Sequence, residues 1–160
     1  MSVSQRLRAL LDQRGVKYTV LTHSRAYTAQ EIAQSIRTRG REVAKVVVVR
    51  HAGKLGLAVL PAHTRVDLEC LGAALRGPVA LASESEFAAA FPDCELGAMP
   101  PFGALYGFTT WLDQSLTRDR EIAFNAGTHS EAIRMSLDDY QRLEAPIVMA
   151  FSRDPTMAKG

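Results

Sequence analysis

The sequence of 160 residues has little cysteine and no long apolar run, and both absences exclude classes of protein. Cys70 and Cys94 are isolated and have no histidine at ligand spacing, which argues against a zinc site, a redox pair and a disulfide framework. We expect each to be a small buried apolar residue. Without a run of about eighteen apolar residues or an apolar segment behind the basic N-terminus, we expect neither a membrane span nor a secretory signal. A soluble, cytoplasmic protein is therefore predicted.

The common catalytic motifs are missing as well. The sequence contains no Gly-x-Ser-x-Gly elbow, no Walker loop and no Rossmann glycine fingerprint. His23, His51 and His63 lie in separate loops and no pair has ligand spacing, so we expect neither a metal nor an organic cofactor. Chemistry, if the chain performs any, has to rest on groups other than an activated serine or cysteine.

Length and composition fit one domain. With 47% hydrophobic residues, the chain can bury a core without disulfides or metals. We expect a single domain over residues 1–152, followed by a short tail at 153–160. Charge is unevenly placed, because residues 1–50 hold ten Lys or Arg against three Asp or Glu, whereas the remainder holds nine against fourteen. Such a basic region suits a polyanion such as nucleic acid, and it equally suits the solvated faces of helices.

Hydrophobic periodicity predicts helices and strands in a mixed order. Two strands at 43–50 and 55–60 are joined by a short glycine-containing segment and should form a hairpin, with 46–49 central to the sheet. Helices are predicted at 4–14, 28–39, 66–75, 83–90 and 136–143, and further strands at 18–21, 79–81, 105–110, 121–124, 132–135 and 147–151. Runs of strands between helices indicate a mixed sheet and not a regular βαβ series.

The segment Gly97–Gly107 combines three glycines and two prolines among apolar residues. Proline fixes φ and removes an N–H, whereas glycine lets the main chain approach a bound group closely. The segment is therefore predicted to form a stiff loop that offers backbone groups to a ligand as one wall of a pocket.

Lys45 is the candidate side chain that the strand pattern singles out. Alternation places it on the same face as Val43, Val47 and Val49, and a cation on an apolar face needs a reason. It is either a strand-end lysine that extends to water, or an ammonium held in a pocket to contact a carboxylate, a phosphate or a polarised carbonyl. The residues alone leave both explanations open.

Two further polar groups have both structural and catalytic explanations. Asn125–Ser130 is predicted to be a turn between two strands, which would leave His129 exposed at a sheet edge, either as a hydrogen-bonded loop residue or as a catalyst. Asp113 follows a predicted strand, where a carboxylate is either the cap of a turn or an acid or base.

Several motifs occur in a characteristic order along the chain. They are a lysine that opens a valine-rich strand, a Gly-x-x-Pro-Pro-Phe-Gly loop, an Asp-x-Ser-Leu strand end and an Asn-Ala-Gly turn. In this order the set resembles the YbaK/prolyl-tRNA-synthetase-associated domain family, stand-alone or appended editing domains that hydrolyse mischarged aminoacyl-tRNA. The similarity extends over nearly the whole chain, and the matching segments are Val43–Arg50, Leu57–Leu68, Gly97–Gly103, Asp113–Leu116 and Glu121–His129.

The resemblance implies a fold and a site. The fold would be a mixed α/β single domain with a curled mixed β-sheet approaching a barrel, flanked by helices, and the aminoacyl ester would bind between the lysine strand and the loop. Catalytic roles are implied for Lys45, Gly97 and His129, the last resembling the histidine of a branch that acts on small mischarged residues. The implied substrate contacts are Val46, Ala98, Met99, Pro100, Pro101, Phe102, Gly103, Asn125, Gly127 and Thr128. Val46 departs from the polar Asn or Thr that many relatives carry after the lysine, and this leaves the choice of amino acid open.

The implied activity is a trans-editing deacylase that removes Ala, Ser or Thr from the acceptor end of a tRNA. An aminoacyl ester is already activated, so positioning a water and stabilising the oxyanion can suffice, with the ribose 2′-hydroxyl of the substrate as a candidate proton acceptor. Two alternatives are a module of the same fold that binds aminoacyl-tRNA or a nucleotide without hydrolysis, and a small-molecule esterase. The second is disfavoured by the missing nucleophile.

Overall fold

Helix α1, Gln5–Gln13, begins the part of the chain that the computed structural model describes, residues 4–22 and 43–154. Ser4 caps the helix by accepting a hydrogen bond from the backbone N–H of Leu7, and Leu7 and Leu11 are fully buried on one face. Gly15, with φ of +63°, lets the chain leave the helix. The predicted first helix is confirmed, and the helix predicted at 28–39 lies outside the described residues.

In the described ranges ten strands and three more helices follow α1. Eight of the strands and the three helices come in the predicted order, with shifts at some ends, and the strands Arg65–Val66 and Ser152–Arg153 were not predicted. The strands are β1 Tyr18–Thr22, β2 Ala44–His51, β3 Lys54–Pro61, β4 Arg65–Val66, β5 Val79–Leu81, β6 Thr109–Asp113, β7 Glu121–Thr128, β8 Glu131–Ser136, β9 Ile147–Met149 and β10 Ser152–Arg153. The helices are α2 Leu68–Leu75, α3 Glu84–Phe87 and α4 Leu137–Glu144, with single 3₁₀ turns at Ala88–Ala90, Gly103–Tyr106 and Gln114–Arg118.

The larger sheet has five strands in the order β5-β2-β3-β6-β9. β2 and β3 form the predicted hairpin, whose two turn residues Ala52 and Gly53 both have positive φ, as a tight hairpin turn requires. β6 and β9 add in parallel on the other side of β3. Because antiparallel and parallel pairs share one sheet, the predicted mixed α/β fold is confirmed.

A second sheet has three antiparallel strands in the order β1-β8-β7, and β10 pairs with β4 in a two-stranded sheet. The two larger sheets meet through a parallel bridge between Val43, at the start of β2, and Ala123 in β7. Within the described residues the strands form these three sheets and not a closed barrel.

The two sides of β2 pack against different parts of the molecule. Ala44, Val46 and Val48 face what we call the loop side, where they pack in clusters that contain Met99 and Phe102 of the glycine-proline loop. The same clusters contain buried residues of α1 and β7. Side chains of the loop therefore help to fill the core.

The opposite side of β2 we call the lysine side. Lys45 lies there with Val47 and Val49, as strand alternation predicts, and Lys45 pairs with Leu60 across the hairpin. Trp111 of β6 belongs to the same cluster and fits over Gly56, where an added Cβ would lie 2.3 Å from the indole ring. Glycine at 56 thus makes room for the tryptophan.

Four local predictions were wrong. Residues 105–110 are not one strand, because Gly103–Tyr106 forms a 3₁₀ turn and β6 starts at Thr109. Helix α2 starts at Leu68 and not at Val66, since Val66 pairs with Ser152 and Asp67 caps the helix. Cys70 is exposed on α2 and not buried. Residues 125–130 form a turn only at 129–130, because 125–128 continue β7 through an irregularity in its pairing with β8.

Candidate active site

Lys45 is half-buried on the lysine side of β2, and no described residue forms a hydrogen bond or an ion pair with it. Burial, followed by the positive charge of Arg65, lowers the pKa of its ammonium. A half-buried cation that lies beside a second cation and has no carboxylate partner in the described part of the chain favours an anion or a polarised carbonyl as its ligand.

Asn125 lies on the same side as Lys45. Val43 and Ala123 pair in parallel. Lys45 comes two residues after Val43, and Asn125 comes two residues after Ala123. Because side chains alternate along a strand, both point to the lysine side. The side-chain oxygen Oδ1 of Asn125 is buried and receives no hydrogen bond from a described residue. A cation and a neutral acceptor are thus neighbours where β2 and β7 meet.

Farther along β7, the chain contacts the start of the glycine-proline loop. The N–H of Gly127 donates to the carbonyl of Ala98, and the N–H of Glu95 donates to the carbonyl of Gly127, both at 2.8 Å. Asn125 therefore lies between the junction with β2 and the junction with the loop. The lysine strand and the loop are connected through β7.

His129 and Gly97 are in contact at the end of β7. His129 is buried, and its Nε2–H donates to the carbonyl of Leu96 at 2.7 Å, since a carbonyl can only accept. The backbone N–H of His129 donates to Oε1 of Glu95 at 2.7 Å. A Cβ added at Gly97, which has φ of +85°, would lie 3.3 Å from Cε1 of the ring. The predicted exposed edge position of His129 was wrong, because residues 95–97 cover it.

The second half of the loop is fixed by internal hydrogen bonds. The N–H of Phe102 donates to the carbonyl of Pro100, and the N–H of Gly103 donates to Oγ1 of Thr110. The phenol of Tyr140, fully buried in α4, donates to the carbonyl of Pro101 at 2.8 Å. This half is therefore held from behind by β6 and α4.

Glu144 extends the same support. Its Oε2 accepts hydrogen bonds from Oγ1 of Thr110 at 2.6 Å and from the N–H of Ala104 at 3.2 Å. Burial raises the pKa of Glu144, and the hydrogen bonds only partly offset this. The sequence offered no sign of this role, because Glu144 is forty residues away from the loop that it holds.

The first half of the loop leaves two donors available. The N–H of Ala98 donates to the carbonyl of Glu95, and Pro100 and Pro101 have no N–H. Within the described residues, nothing accepts a hydrogen bond from the N–H of Gly97 or Met99. The predicted role of the loop as a source of backbone donors therefore narrows to these two amides.

Other residues assigned to the substrate by resemblance lie elsewhere. Val46 and the side chains of Met99 and Phe102 pack on the loop side, away from the Lys45 side chain. Gly127, with φ of +105°, is pressed against Ser4, and a Cβ there would lie 3.0 Å from the Ser4 nitrogen. Thr128 is buried and accepts a hydrogen bond from the N–H of Glu131. In the structure these groups have packing and turn-forming contacts.

Asp113 is a structural cap. Its carboxylate is buried and accepts hydrogen bonds from the N–H groups of Phe151 and Ser152 at 2.8 and 2.9 Å, from the Ser152 hydroxyl and from Ser115. Although burial acts to raise its pKa, these hydrogen bonds lower it on balance. The capping explanation is favoured over an acid or base.

Within the described ranges, no helix is long and apolar enough to cross a membrane. No group of three or more His, Cys, Asp or Glu in those ranges could hold a metal ion. The described residues thus offer a cation and a neutral acceptor where β2 and β7 meet, and two backbone N–H donors in the loop, where His129 packs on Gly97. A cation or a backbone N–H donor can polarise an ester carbonyl.

Comparison with known proteins gives concordant results. The family model of the aminoacyl-tRNA editing domain matches residues 23–143. Two proteins called multifunctional Ser/Thr-tRNA deacylase ProXp-y, from Escherichia coli K12 and O157:H7, are each 32% identical over 155 residues, covering 93% of this chain and 92% of theirs. A crystal structure described as that of a candidate trans-editing enzyme for prolyl-tRNA synthetase has a TM-score of 0.80 at 23% identity, covering 94% of this chain and 96% of that one. The structural likeness shows the same fold.

Proposed function

The chain belongs to the aminoacyl-tRNA editing domain family, and from this premise we propose that it hydrolyses tRNA mischarged with serine, threonine or alanine. As a family member it is an aminoacyl-tRNA deacylase, and the structure of the site supports such an activity without a covalent intermediate. The observation that carries the proposal is the contrast within the loop, where the N–H groups of Gly97 and Met99 are the ones that lack an acceptor among the described residues.

In the proposed reaction, water attacks the carbonyl carbon of the ester that joins the amino acid to the 3′-oxygen of the tRNA. The bond from that carbon to the ribose oxygen then breaks, and a proton ends on this oxygen. Free amino acid and uncharged tRNA are released. During attack the substrate 2′-hydroxyl accepts a proton from the water while it passes its own proton to the departing 3′-oxygen, so the protein needs no base of its own.

The protein contributes by stabilising the oxyanion. In this proposal the ammonium of Lys45 and the N–H groups of Gly97 and Met99 converge on the ester carbonyl, and donors positioned before the substrate arrives stabilise developing negative charge strongly. His129 holds its ring against Gly97 through its hydrogen bond to the Leu96 carbonyl. We assign His129 the role of fixing the Gly97 amide. Because Nε2 of the neutral ring carries the proton, Nδ1 is the ring nitrogen that can accept a hydrogen bond.

A panel of tRNAs charged with labelled alanine, serine, threonine, cysteine or proline tests the proposal. The wild type should release labelled amino acid from at least one of the first three. Lys45→Ala should lower this rate about a hundredfold, since loss of one fixed donor typically has an effect of this size. Lys54→Ala is the matched control, because Lys54 is exposed at the start of β3. Turnover like that of the wild type in Lys45→Ala would contradict the assignment, and binding without release would favour a non-catalytic module.

The basic face of α1 supplies a surface for the tRNA. Arg6 and Arg8 on this helix, Arg14 at its C-terminal cap and Lys17 beyond it are all exposed. If they neutralise phosphates, the logarithm of the binding constant should fall linearly with the logarithm of salt concentration. Replacing Arg8 and Arg14 by alanine should make that slope shallower, and an unchanged slope would exclude α1 from the interface.

A further inference from the structure

Asn125 carries a buried polar atom that has no hydrogen-bond partner among residues 4–22 and 43–154. The atom is its side-chain oxygen Oδ1. An unpaired buried acceptor is destabilising, so its presence in a folded protein calls for an explanation. The neighbouring residue Phe124 points to the other side of β7 and packs in the core, whereas Asn125 is not part of that core cluster. Core packing therefore does not explain the amide of Asn125.

The surroundings of Asn125 define what it can bind. On the lysine side, the residues next to it and to Lys45 are small or apolar, namely Val43, Leu60, Ala62 and Ala123. The surface thus combines the Lys45 cation, with the charge of Arg65 near it, and one neutral acceptor among small and apolar residues. A ligand that complements it has a polarised oxygen for the cation and a hydrogen-bond donor for the acceptor.

We propose that Oδ1 of Asn125 accepts a hydrogen bond from the side-chain hydroxyl of a seryl or threonyl ester and thereby selects these groups over an alanyl ester. The proposal rests on the proposed function, which it refines by naming the group that reads the substrate. A hydroxyl brought to this acceptor satisfies an atom that is otherwise unpaired. A site that hydrogen-bonds a substrate hydroxyl discriminates against the analogue that lacks it.

The other donor of an aminoacyl ester, its α-ammonium, fits this position less well. Lys45 lies beside Asn125, and the positive charge of Arg65 is close enough to lower the pKa of Lys45. These two positive charges would repel the α-ammonium as a third. A hydroxyl is neutral and meets no such repulsion. The α-ammonium is also common to all aminoacyl esters, so an acceptor for it would not distinguish serine from alanine.

A cycle of two enzymes and two substrates tests the proposal. The enzymes are the wild type and Asn125→Leu, which removes the acceptor at similar volume. The substrates are tRNAs charged with serine or with 2-aminobutyrate, in which a methyl group replaces the hydroxyl. We expect the wild type to prefer the seryl substrate in kcat/KM by about tenfold to a hundredfold. Asn125→Leu should reduce this preference to less than about threefold by slowing the seryl reaction alone.

Glu121→Gln is the matched control, because Glu121 is exposed at the start of β7 and should leave the preference unchanged. An equal loss on both substrates in Asn125→Leu would overturn the proposal, since Asn125 would then contact a part that both share. A wild type that deacylates both substrates equally would also overturn it, even if the variant failed to fold, and would leave the deacylase function standing. Absence of turnover on every charged tRNA would overturn both.

Discussion

Lys45 and Asp113 carry opposite charges on the lysine side of one sheet, and they differ in how far the protein satisfies them. Asp113 is buried and accepts hydrogen bonds from the backbone N–H groups of Phe151, Ser152 and Ser115 and from the hydroxyls of the two serines. Lys45 is half-buried, and the described residues give it no partner. The difference teaches that a fully bonded charge maintains the fold, whereas a charge without a protein partner is available to a ligand.

The largest effect on stability should come from Asp113. Asp113→Ala leaves the N–H groups of Phe151 and Ser152 without their acceptor, and we expect a loss of about 3 kcal/mol in the free energy of unfolding, as for charged hydrogen bonds. Urea denaturation at neutral pH measures this. Asp138→Ala, on the exposed first turn of α4, is the control and should change it by less than about 1 kcal/mol. A loss below about 1 kcal/mol in Asp113→Ala would contradict the view that the bonded carboxylate of Asp113 maintains the fold while Lys45 does not.

Tyr140 extends the comparison to the loop. Tyr140→Phe keeps the ring contact with Phe102 but leaves the buried carbonyl of Pro101 without its donor. We expect the free energy of unfolding to fall by about 1 to 2 kcal/mol. Thermal denaturation and the deacylation rate at a temperature far below the transition should be measured together. A rate that falls more than about tenfold would show that the bonded half of the loop also affects turnover.

Acid should reduce the contribution of Asp113 to the free energy of unfolding. The pKa of Asp113 in the folded protein is below its ordinary value of about 3.9, so the stability it contributes is present above that value and is lost as pH falls through the folded pKa. The stability gap between the wild type and Asp113→Asn should therefore narrow below about pH 4. Urea denaturation at pH 7, 4 and 3 measures the gap, and a constant gap would contradict the sign.

The smallest effect on stability is expected at Lys45. Burial and Arg65 both disfavour its charged form, so Lys45→Met should leave the free energy of unfolding unchanged or raise it by up to about 1 kcal/mol. The same variant should lose deacylation. Destabilisation by more than about 1 kcal/mol would show that the fold uses this ammonium, and the contrast with Asp113 would then disappear.

Local signals in the sequence predicted the elements that depend on local contacts. The hairpin of β2 and β3 follows from alternation and its glycine turn. Ser136 accepts a hydrogen bond from the N–H of Asp139 in the first turn of α4, as serine before a helical pattern commonly does. At the start of α3 the backbone N–H of Ser83 donates to Oε1 of Glu86, a contact that the Ser-x-x-Glu spacing of a capping box favours. The mixed sheet and the side on which Lys45 lies were likewise predictable.

The features of the site that the sequence did not predict depend on contacts between distant segments. His129 is buried because Glu95 and Leu96, 34 and 33 residues away, accept its hydrogen bonds. Asn125 becomes a neighbour of Lys45 through one bridge between β2 and β7, which periodicity does not encode. The narrowing of the loop donors to Gly97 and Met99 depends on which other amides find acceptors in the folded chain. A sequence pattern shows which groups are polar but not which remain unpaired.

The fit of Trp111 over Gly56 has a practical consequence for spectroscopy. Trp111 is the one tryptophan in the sequence, and it is buried in the cluster that contains Leu60, the cross-strand partner of Lys45. Its fluorescence therefore comes from a single environment beneath the lysine side and needs no engineered dye. Emission can follow loss of packing at that location, while far-ultraviolet circular dichroism follows the whole backbone, and a difference between the two transitions would reveal a region that melts on its own.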